Sequence, residues 1–254
     1  MNNTEKKNSL KVLSLNDFMP VFKAYTDIAD YATFAELENN TTDLNKVLAN
    51  SNCTNVMQLA TDFIEFAKKH ITSFVNNSSV MQAIAKDSTA MAQIVNDATT
   101  MNAIAGSSTA MGAMASSAMA LNKITKSSTA IAAITSSANN SRLQAVRTTM
   151  YNTVVWNSTY FTQITRTYQD GVSSLNSSTK TANCIVFTAC GYWSSASSQK
   201  TNVYHANGVL AHTGSENYRP TSVAANTTNC VSFTNCTFTE TGDGYAAIAV
   251  YQAI

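Results

Sequence analysis

The chain has 254 residues, of which only 12% are charged, and a formal net charge of +1 at pH 7. Soluble globular chains carry about 25% charged residues, so hydroxyl and amide side chains supply much of the polarity here. Sixteen basic residues nearly balance 15 acidic ones, and this leaves no basic field for nucleic acid. The 44% hydrophobic content is typical of a folded chain.

Residues 1–70 are predicted to be helical and non-repetitive, because apolar residues recur there at spacings of three and four. Lys68, Lys69 and His70 follow an apolar stretch, as is typical of a helix C-terminus. The first residues contain no apolar segment of signal-peptide length, and no uncharged stretch approaches about 20 apolar residues. We therefore expect synthesis in the cytoplasm and no membrane insertion.

A ten-residue repeat begins at Ser78 and reads SSVMQAIAKD, STAMAQIVND, ATTMNAIAGS, STAMGAMASS, AMALNKITKS and STAIAAITSS. A fixed period of this kind indicates a repeat architecture. Two apolar positions recur three residues apart, and they are predicted to form the repeat core. They are occupied by Met81, Ile84, Met91, Ile94, Met101, Ile104, Met111, Met114, Leu121, Ile124, Ile131 and Ile134.

Each decapeptide is predicted to form one short helix, because its apolar residues fall on one helical face behind a Ser/Thr pair that is expected to be the N-cap. A continuous helix is disfavoured, since a ten-residue period rotates the apolar stripe by about 80° per repeat. Methionine in such a pattern is typically an adaptable core residue. Residues 71–169 are therefore predicted to form an α-solenoid-like stalk of stacked short helices.

The character of the sequence changes after this stalk. Residues 170–181 have the composition of a linker. Residues 182–254 are rich in Val, Ile, Phe, Tyr and Thr between Gly and Asn turns, and are predicted to form an all-β, sandwich-like domain. The expected fold class is thus α+β multidomain, with a helical attachment or cap segment at 1–70, the repeat stalk at 71–169 and a β head at 182–254.

Two similar segments of the β head, at 183–190 and 229–236, each contain two cysteines. Antiparallel pairing of these segments would oppose Cys184 to Cys236 and Cys190 to Cys230, which makes two cross-strand disulfides possible in an oxidising setting. In the cytoplasm the thiols would stay reduced. The C-x5-C spacing does not match the usual zinc-ligand spacing, so a metal site is not predicted.

No nucleophile-elbow motif and no phosphate-binding glycine motif occurs in the sequence. A shared metal at His205 and His212 is conceivable, but we interpret both as turn or surface histidines. The acidic residues of the β head are Glu216, Glu240 and Asp243, and two of them could form a glycosidase pair across a cleft. We predict no catalytic residue, metal or cofactor, and keep glycan hydrolysis as the enzymatic alternative.

Flat amphipathic rings are the best candidates for recognition in the β head. They are suited to stacking on a carbohydrate or protein surface, although they serve equally well as ordinary strand residues. The candidate receptor-binding residues are Tyr192, Trp193, Tyr204, Tyr218 and Tyr245.

The decapeptides STAMAQIVND and STAMGAMASS resemble the Ser-Thr-Ala-Met-x-Ala-Ile-Ala repeats of tail-fibre and related virion structural proteins of tailed bacteriophages. The resemblance covers residues 71–165, and more loosely the final GDGYAAIAVYQAI. It implies a fibre-like virion protein, made in the host cytoplasm, that has no catalytic residues to carry over.

The same resemblance implies a set of partners. The N-terminal segment is expected to bind other virion proteins, and the β head to bind a glycan or protein of the host surface. A homotrimer is common in fibres of this kind. The alternatives are a decoration protein of the capsid or tail, a head fibre, and a glycan depolymerase.

Overall fold

A computed structural model describes residues 13–60, 62–170, 183–192, 200–214, 223–224, 228, 230–234, 236–241 and 244–254. Only the backbone is described at 165–170, 192, 200–201, 236–241 and 244–245. The chain divides into two compact units, Met1–Phe74 and Val75–Ile254. None of the helices in the described part of the chain is both long and apolar enough to cross a membrane.

The first unit is helical around an aromatic core. Its elements are a 3-10 helix at Leu15–Phe18, α1 (Met19–Tyr25), α2 (Phe34–Glu38), α3 (Thr41–Ala49), α4 (Ser51–Met57), α5 (Phe63–Lys69) and α6 (Ile71–Phe74). The rings of Phe34 and Phe66 stack with their centroids 4.4 Å apart, and Phe63 meets Phe74 edge-on at 5.6 Å. Aromatic burial on this scale is the main source of stability in so small a unit.

Each decapeptide of the second unit forms one helix of seven to nine residues. The helices are α7 (Ser78–Lys86), α8 (Ser88–Ile94), α9 (Ala98–Ala105), α10 (Ser108–Ala115), α11 (Ala118–Thr125) and α12 (Ser128–Ile134). The N-caps are Asn77, Asp87, Asp97, Ser107, Ser117 and Ser127, and each side chain accepts a hydrogen bond from the backbone N–H three residues later. The predicted Ser/Thr caps are therefore wrong by one residue, since that pair lies in the first helical turn.

The repeated apolar residues point into the packed side of these helices. Eleven of the twelve have relative exposures between 0% and 4%; Ile131 alone is partly exposed. The alanines one residue before the first apolar position, such as Ala90, Ala110 and Ala130, are also fully buried. Small side chains at these positions let neighbouring helices approach closely.

Each repeat helix contacts the helix that comes three later in the chain: α7 contacts α10, α8 contacts α11, and α9 contacts α12. The turns between helices are joined across the same interval, because the cap hydroxyls of the later helices donate to backbone carbonyls 32 residues earlier. These bonds join Ser107 to Val75 (2.7 Å), Ser117 to Ala85 (2.6 Å) and Ser127 to Val95 (2.6 Å).

The residue type at each cap depends on whether the cap also donates to the carbonyl of an earlier turn. A serine hydroxyl accepts from its own helix and donates to the carbonyl of the earlier turn, whereas an ionised aspartate can only accept. Asp97, which caps α9, is exposed and bonds to Thr100 of its own helix, accepting from the Thr100 N–H at 2.6 Å. Ser127 is 5% exposed and makes both bonds. At the caps Ser107, Ser117 and Ser127, serine thus makes two bonds of which an aspartate could make only one.

Helices α13 (Asn140–Ala145) and α14 (Arg147–Val155) extend the stacking, with α13 against α10 and α14 against α10 and α11. The helical region then ends. The prediction that the helical stalk continues to residue 169 is wrong, because Phe161–Asp170 is strand β1 and pairs with the last strand of the chain. Alternating Thr and larger side chains in this segment favour a strand.

Two antiparallel sheets follow, so the predicted order of helices first and sheets second is confirmed. The remaining strands are β2 (Cys184–Tyr192), β3 (Lys200–His205), β4 (Leu210–Gly214), β5 (Cys230–Phe233), β6 (Cys236–Thr241) and β7 (Gly244–Ala253). One sheet has the order β1-β7-β2-β5 and the other β4-β3-β6. The predicted linker at 170–181 lies, after Asp170, outside the described residues.

A cluster of buried side chains from both sheets forms the core of this region. It contains Cys184, Val186, Cys190, Val203, Ala211, Cys230, Ala246, Ile248 and Val250. One buried hydroxyl in β2, that of Thr188, has no hydrogen-bond partner among the described residues. A buried polar group without a partner is destabilising.

The second cysteine-containing segment is divided between the two sheets. Cys230 begins β5 and Cys236 begins β6, and between them Thr234 has a φ of 65° that turns the chain. The predicted single strand over 229–236 is therefore wrong. The register also differs, since Thr188 lies opposite Cys230 where Cys190 was expected. The oxidation state of the thiols stays a prediction.

Replacing the buried cap Ser127→Asp should lower the free energy of unfolding by about 2 kcal/mol, because the carboxylate keeps the cap but cannot donate to the Val95 carbonyl. The control Asp97→Ser changes an exposed cap whose described hydrogen bonds stay within its own helix, and is expected to shift stability by less than about 0.5 kcal/mol. Urea unfolding measures both. Equal effects would show that the donated bond has no special role.

Replacing Thr188→Val should raise the free energy of unfolding by roughly 1 kcal/mol, because it removes an unpaired buried hydroxyl at nearly constant volume. The control Thr125→Val removes an equally buried hydroxyl that donates to the Leu121 carbonyl at 2.6 Å, and should be destabilising. Urea unfolding again compares the two. A destabilised Thr188→Val variant would contradict the assignment of an unpaired group.

Candidate functional site

Helices α13 and α14 present a polar face to the β region. Asn140, Gln144, Arg147 and Tyr151 follow one another at intervals of four, three and four, so they share one helical face. Each donates to backbone carbonyls of the β region. The acceptors are Leu210 and Ala211 for Asn140 (3.1 and 3.0 Å), Val231 for Gln144 (2.9 Å), Thr228 for Arg147 (3.0 Å) and Val223 for Tyr151 (3.0 Å).

Gln144 pairs with the edge of β5 as a neighbouring strand would. Its amide donates to the Val231 carbonyl and accepts from the Val231 N–H, both at 2.9 Å. An unpaired strand edge is a template for unwanted pairing, so this contact satisfies the edge and attaches the sheet to the helix. Asn140 attaches β4 of the other sheet, because its amide donates to the Leu210 and Ala211 carbonyls.

His205, at the end of β3, lies where the helix meets both sheets. Its Nδ1 is 2.9 Å from the Ser232 hydroxyl of β5, and its Nε2 is 3.0 Å from Oδ1 of Asn140. The same Oδ1 accepts from Gln144 at 3.0 Å. His205 is 1% exposed and Ser232 is 0% exposed, so the interpretation of His205 as a turn or surface histidine is wrong.

The hydrogen bonds assign the tautomer of this ring. The Asn140 amide nitrogen donates to two carbonyls, so its Oδ1 must be an acceptor and His205 Nε2 must carry the proton. Nδ1 then accepts from the Ser232 hydroxyl. Burial lowers the pKa of His205 to about 4, which keeps the ring neutral near pH 7.

Ser232, His205 and Asn140 are joined in this order by hydrogen bonds, which is the connectivity of a hydrolytic triad. Here the serine and histidine are almost completely buried, so no substrate carbonyl can reach the hydroxyl. The arrangement instead joins α13, β3 and β5 through one neutral ring. A fully satisfied buried network of this kind fixes the relative position of the elements it connects.

The predicted recognition aromatics are only partly described. Tyr204 lies in the central strand β3 and is partly exposed. Tyr192 and Tyr245 end neighbouring strands, since Tyr192 pairs with Gly244 and Gly191 with Tyr245, but their side chains lie outside the described residues. Trp193 and Tyr218 lie entirely outside them.

One exposed aromatic was not identified from the sequence. Trp156, the residue after α14, is 81% exposed. Nothing in the local sequence distinguishes it from a core residue of the repeat, because it follows the apolar pair Val154 and Val155. Its exposure follows from the position at which α14 ends.

The residues of the enzymatic alternative are not brought together by the described structure. Glu216 and Asp243 lie outside the described residues, and Glu240 is described only as backbone in β6 opposite Thr201. His212 lies in β4 opposite Val203. The described residues contain no group of three or more His, Cys, Asp or Glu side chains that could hold a metal ion.

A cleft of about 200 Å³ opens beside α12, between that helix, the β3–β4 turn and the end of β5. The turn is attached to the helix by Asn207, whose amide donates to the Thr135 carbonyl and hydroxyl at 3.3 and 3.1 Å. Ile131 and Thr234 are among the lining residues.

Comparison with protein-family models and with curated protein sequences finds no match to this chain.

The buried ring predicts a specific pH dependence. Above about pH 6.5 the His205 ring is neutral in both the folded and the unfolded chain. Below that pH the ring is protonated in the unfolded chain, whereas in the folded chain it stays neutral down to about pH 4. The free energy of unfolding should fall by roughly 3 kcal/mol as the pH drops across this window.

The variant His205→Gln retains one donor and one acceptor but does not titrate, so its stability should vary much less between pH 6.5 and 4. The wild-type chain, measured in parallel, should show the full decrease in stability. Urea unfolding at several pH values makes the comparison. A slope that is unchanged in His205→Gln would contradict the role of this ring.

Proposed function

We propose that the chain is a structural, non-enzymatic virion protein of the fibre-like class, whose β region recognises a host surface molecule. The observation that carries this proposal is the attachment of both sheets to α13 and α14 through Asn140, Gln144 and the His205 network. A region held this firmly to a helical repeat is suited to presenting a surface, and much less to opening and closing around a substrate.

In this proposal the repeat is a solenoid with about three short helices per turn, and the two sheets face each other as a sandwich. The contacts between each helix and the third one following support the solenoid. The core cluster with members from β2, β3, β4, β5 and β7 supports the sandwich. Both arrangements bury apolar residues continuously and build length without a catalytic pocket.

The first unit is proposed to bind other virion proteins. Among its described residues, Tyr25 at 54% and Leu59 at 63% are large, exposed and apolar. Tyr25 belongs to an open depression of about 550 Å³ formed by residues 23–28. The loop after it is held by Asp43, which accepts from the Ala29 N–H at 3.1 Å. A fixed surface with an exposed aromatic residue suits a protein partner.

Assembly as a homotrimer, location in the virion and binding of a surface glycan or protein complete the proposal. They derive from the resemblance of the decapeptides to phage fibre repeats. The low charge of the chain supports the expectation that nucleic acid is not a partner.

The proposal predicts that the full chain binds host cells and blocks infection when added before the phage. Antibody raised against residues 183–254 should label the far end of a projecting fibre in electron micrographs of the particle. Label spread over the capsid, with no binding of the chain to cells, would contradict receptor recognition and would favour a decoration protein.

A further inference from the structure

The cleft beside α12 lies where the repeat pattern leaves a helix partly uncovered. Helices α7 to α11 each have a packing partner later in the helical series, and α13 and α14 cover α10 and α11. After α14 the chain enters β1, and none of the described helices follows to cover α12. Ile131 is accordingly the one repeated apolar residue that is partly exposed, and it faces this cleft.

A second, independent irregularity, in the backbone, occurs on the side of the cleft formed by the end of β5. Thr234 lines the cleft and has a φ of 65°. A β-branched residue in the left-handed region is a genuine outlier, and such strain tends to persist where the side chain serves a function. Glycine would make the same turn from β5 to β6 without strain. The side chain of Thr234 is therefore retained at a cost in stability.

The lining of the cleft indicates the chemistry of its ligand. Every lining residue is uncharged, and Ile131, Ala132 and Ala206 supply apolar surface. Thr135 and Asn207 are engaged with each other, whereas the hydroxyls of Ser128 and Thr234 have no hydrogen-bond partner among the described residues. A neutral ligand with one apolar side and several hydroxyl groups matches this combination.

The size of the cleft limits the ligand further. Sites for drug-sized molecules have volumes of roughly 300–1,000 Å³, so a cleft of about 200 Å³ holds a single ring. We propose that this cleft binds one neutral sugar unit of a surface glycan, with the ring against Ile131 and its hydroxyl groups bonded to Ser128 and Thr234. This inference rests on the proposed recognition function and names its ligand class.

The test uses the full chain with 13C-labelled isoleucine methyl groups. The probes are the methyl glycosides of glucose, galactose, mannose and rhamnose, each titrated to tens of millimolar. At least one of them should shift the Ile131 methyl signal in a saturable way, while the buried Ile84 methyl signal stays in place. If no glycoside moves the Ile131 signal, the proposal is overturned.

Thr234→Gly separates binding from folding. It should weaken binding of the active glycoside at least tenfold while leaving the melting temperature unchanged or higher, because it removes the hydroxyl and relieves the strain. The matched control is Asn183→Gly, since Asn183 has the same φ of 65° but does not line the cleft; this variant should bind normally. Full binding by Thr234→Gly would overturn the proposal.

The two proposals fail in different ways. A chain that binds host cells but shows no glycoside shift at Ile131 retains its recognition function and loses this site. A chain that binds a glycoside at Ile131, with loss in Thr234→Gly, but never binds host cells retains the site and loses the recognition function.

Discussion

A helix of seven to nine residues is too short to be stable alone in water, and the second unit depends on how the chain meets that constraint. Each repeat helix packs on the one three places away, and each stacked turn is joined to the turn below by a donated serine hydroxyl. The apolar residues supply most of the free energy. The hydroxyls set the register, because only one pairing of turns brings donor and carbonyl together.

The end of the repeat is where this packing becomes useful for function. The helices α13 and α14, which continue the stack, also carry Asn140 and Gln144, whose amides bind strands of both sheets. The buried His205 ring connects the same helix to β3 and β5 without carrying a charge. The β region is thus an extension of the repeat packing, and its surface is held as firmly as the helices beneath it.

The sequence predicts the local units well and their connections poorly. A ten-residue apolar period identifies the helices and their buried Met and Ile positions, because helical amphipathicity is a local property. The stacking interval depends on contacts 30 residues apart, which no local pattern contains. Gln144 lies ten residues after Ile134, where the repeat would place an apolar side chain. This polar residue marks the junction with the sheets. The turn at Thr234 was missed because threonine rarely has a positive φ.

The central claim is that the repeat helices and the sheets fold as one cooperative body, and native-state amide hydrogen exchange tests it most directly. The account predicts that protected amides of α10, α11 and α14 and those of β2 and β7 open with the same free energy and the same dependence on denaturant. Sheets that exchange well before the helices would contradict it, because the junction at Asn140, Gln144 and His205 would then not couple the two.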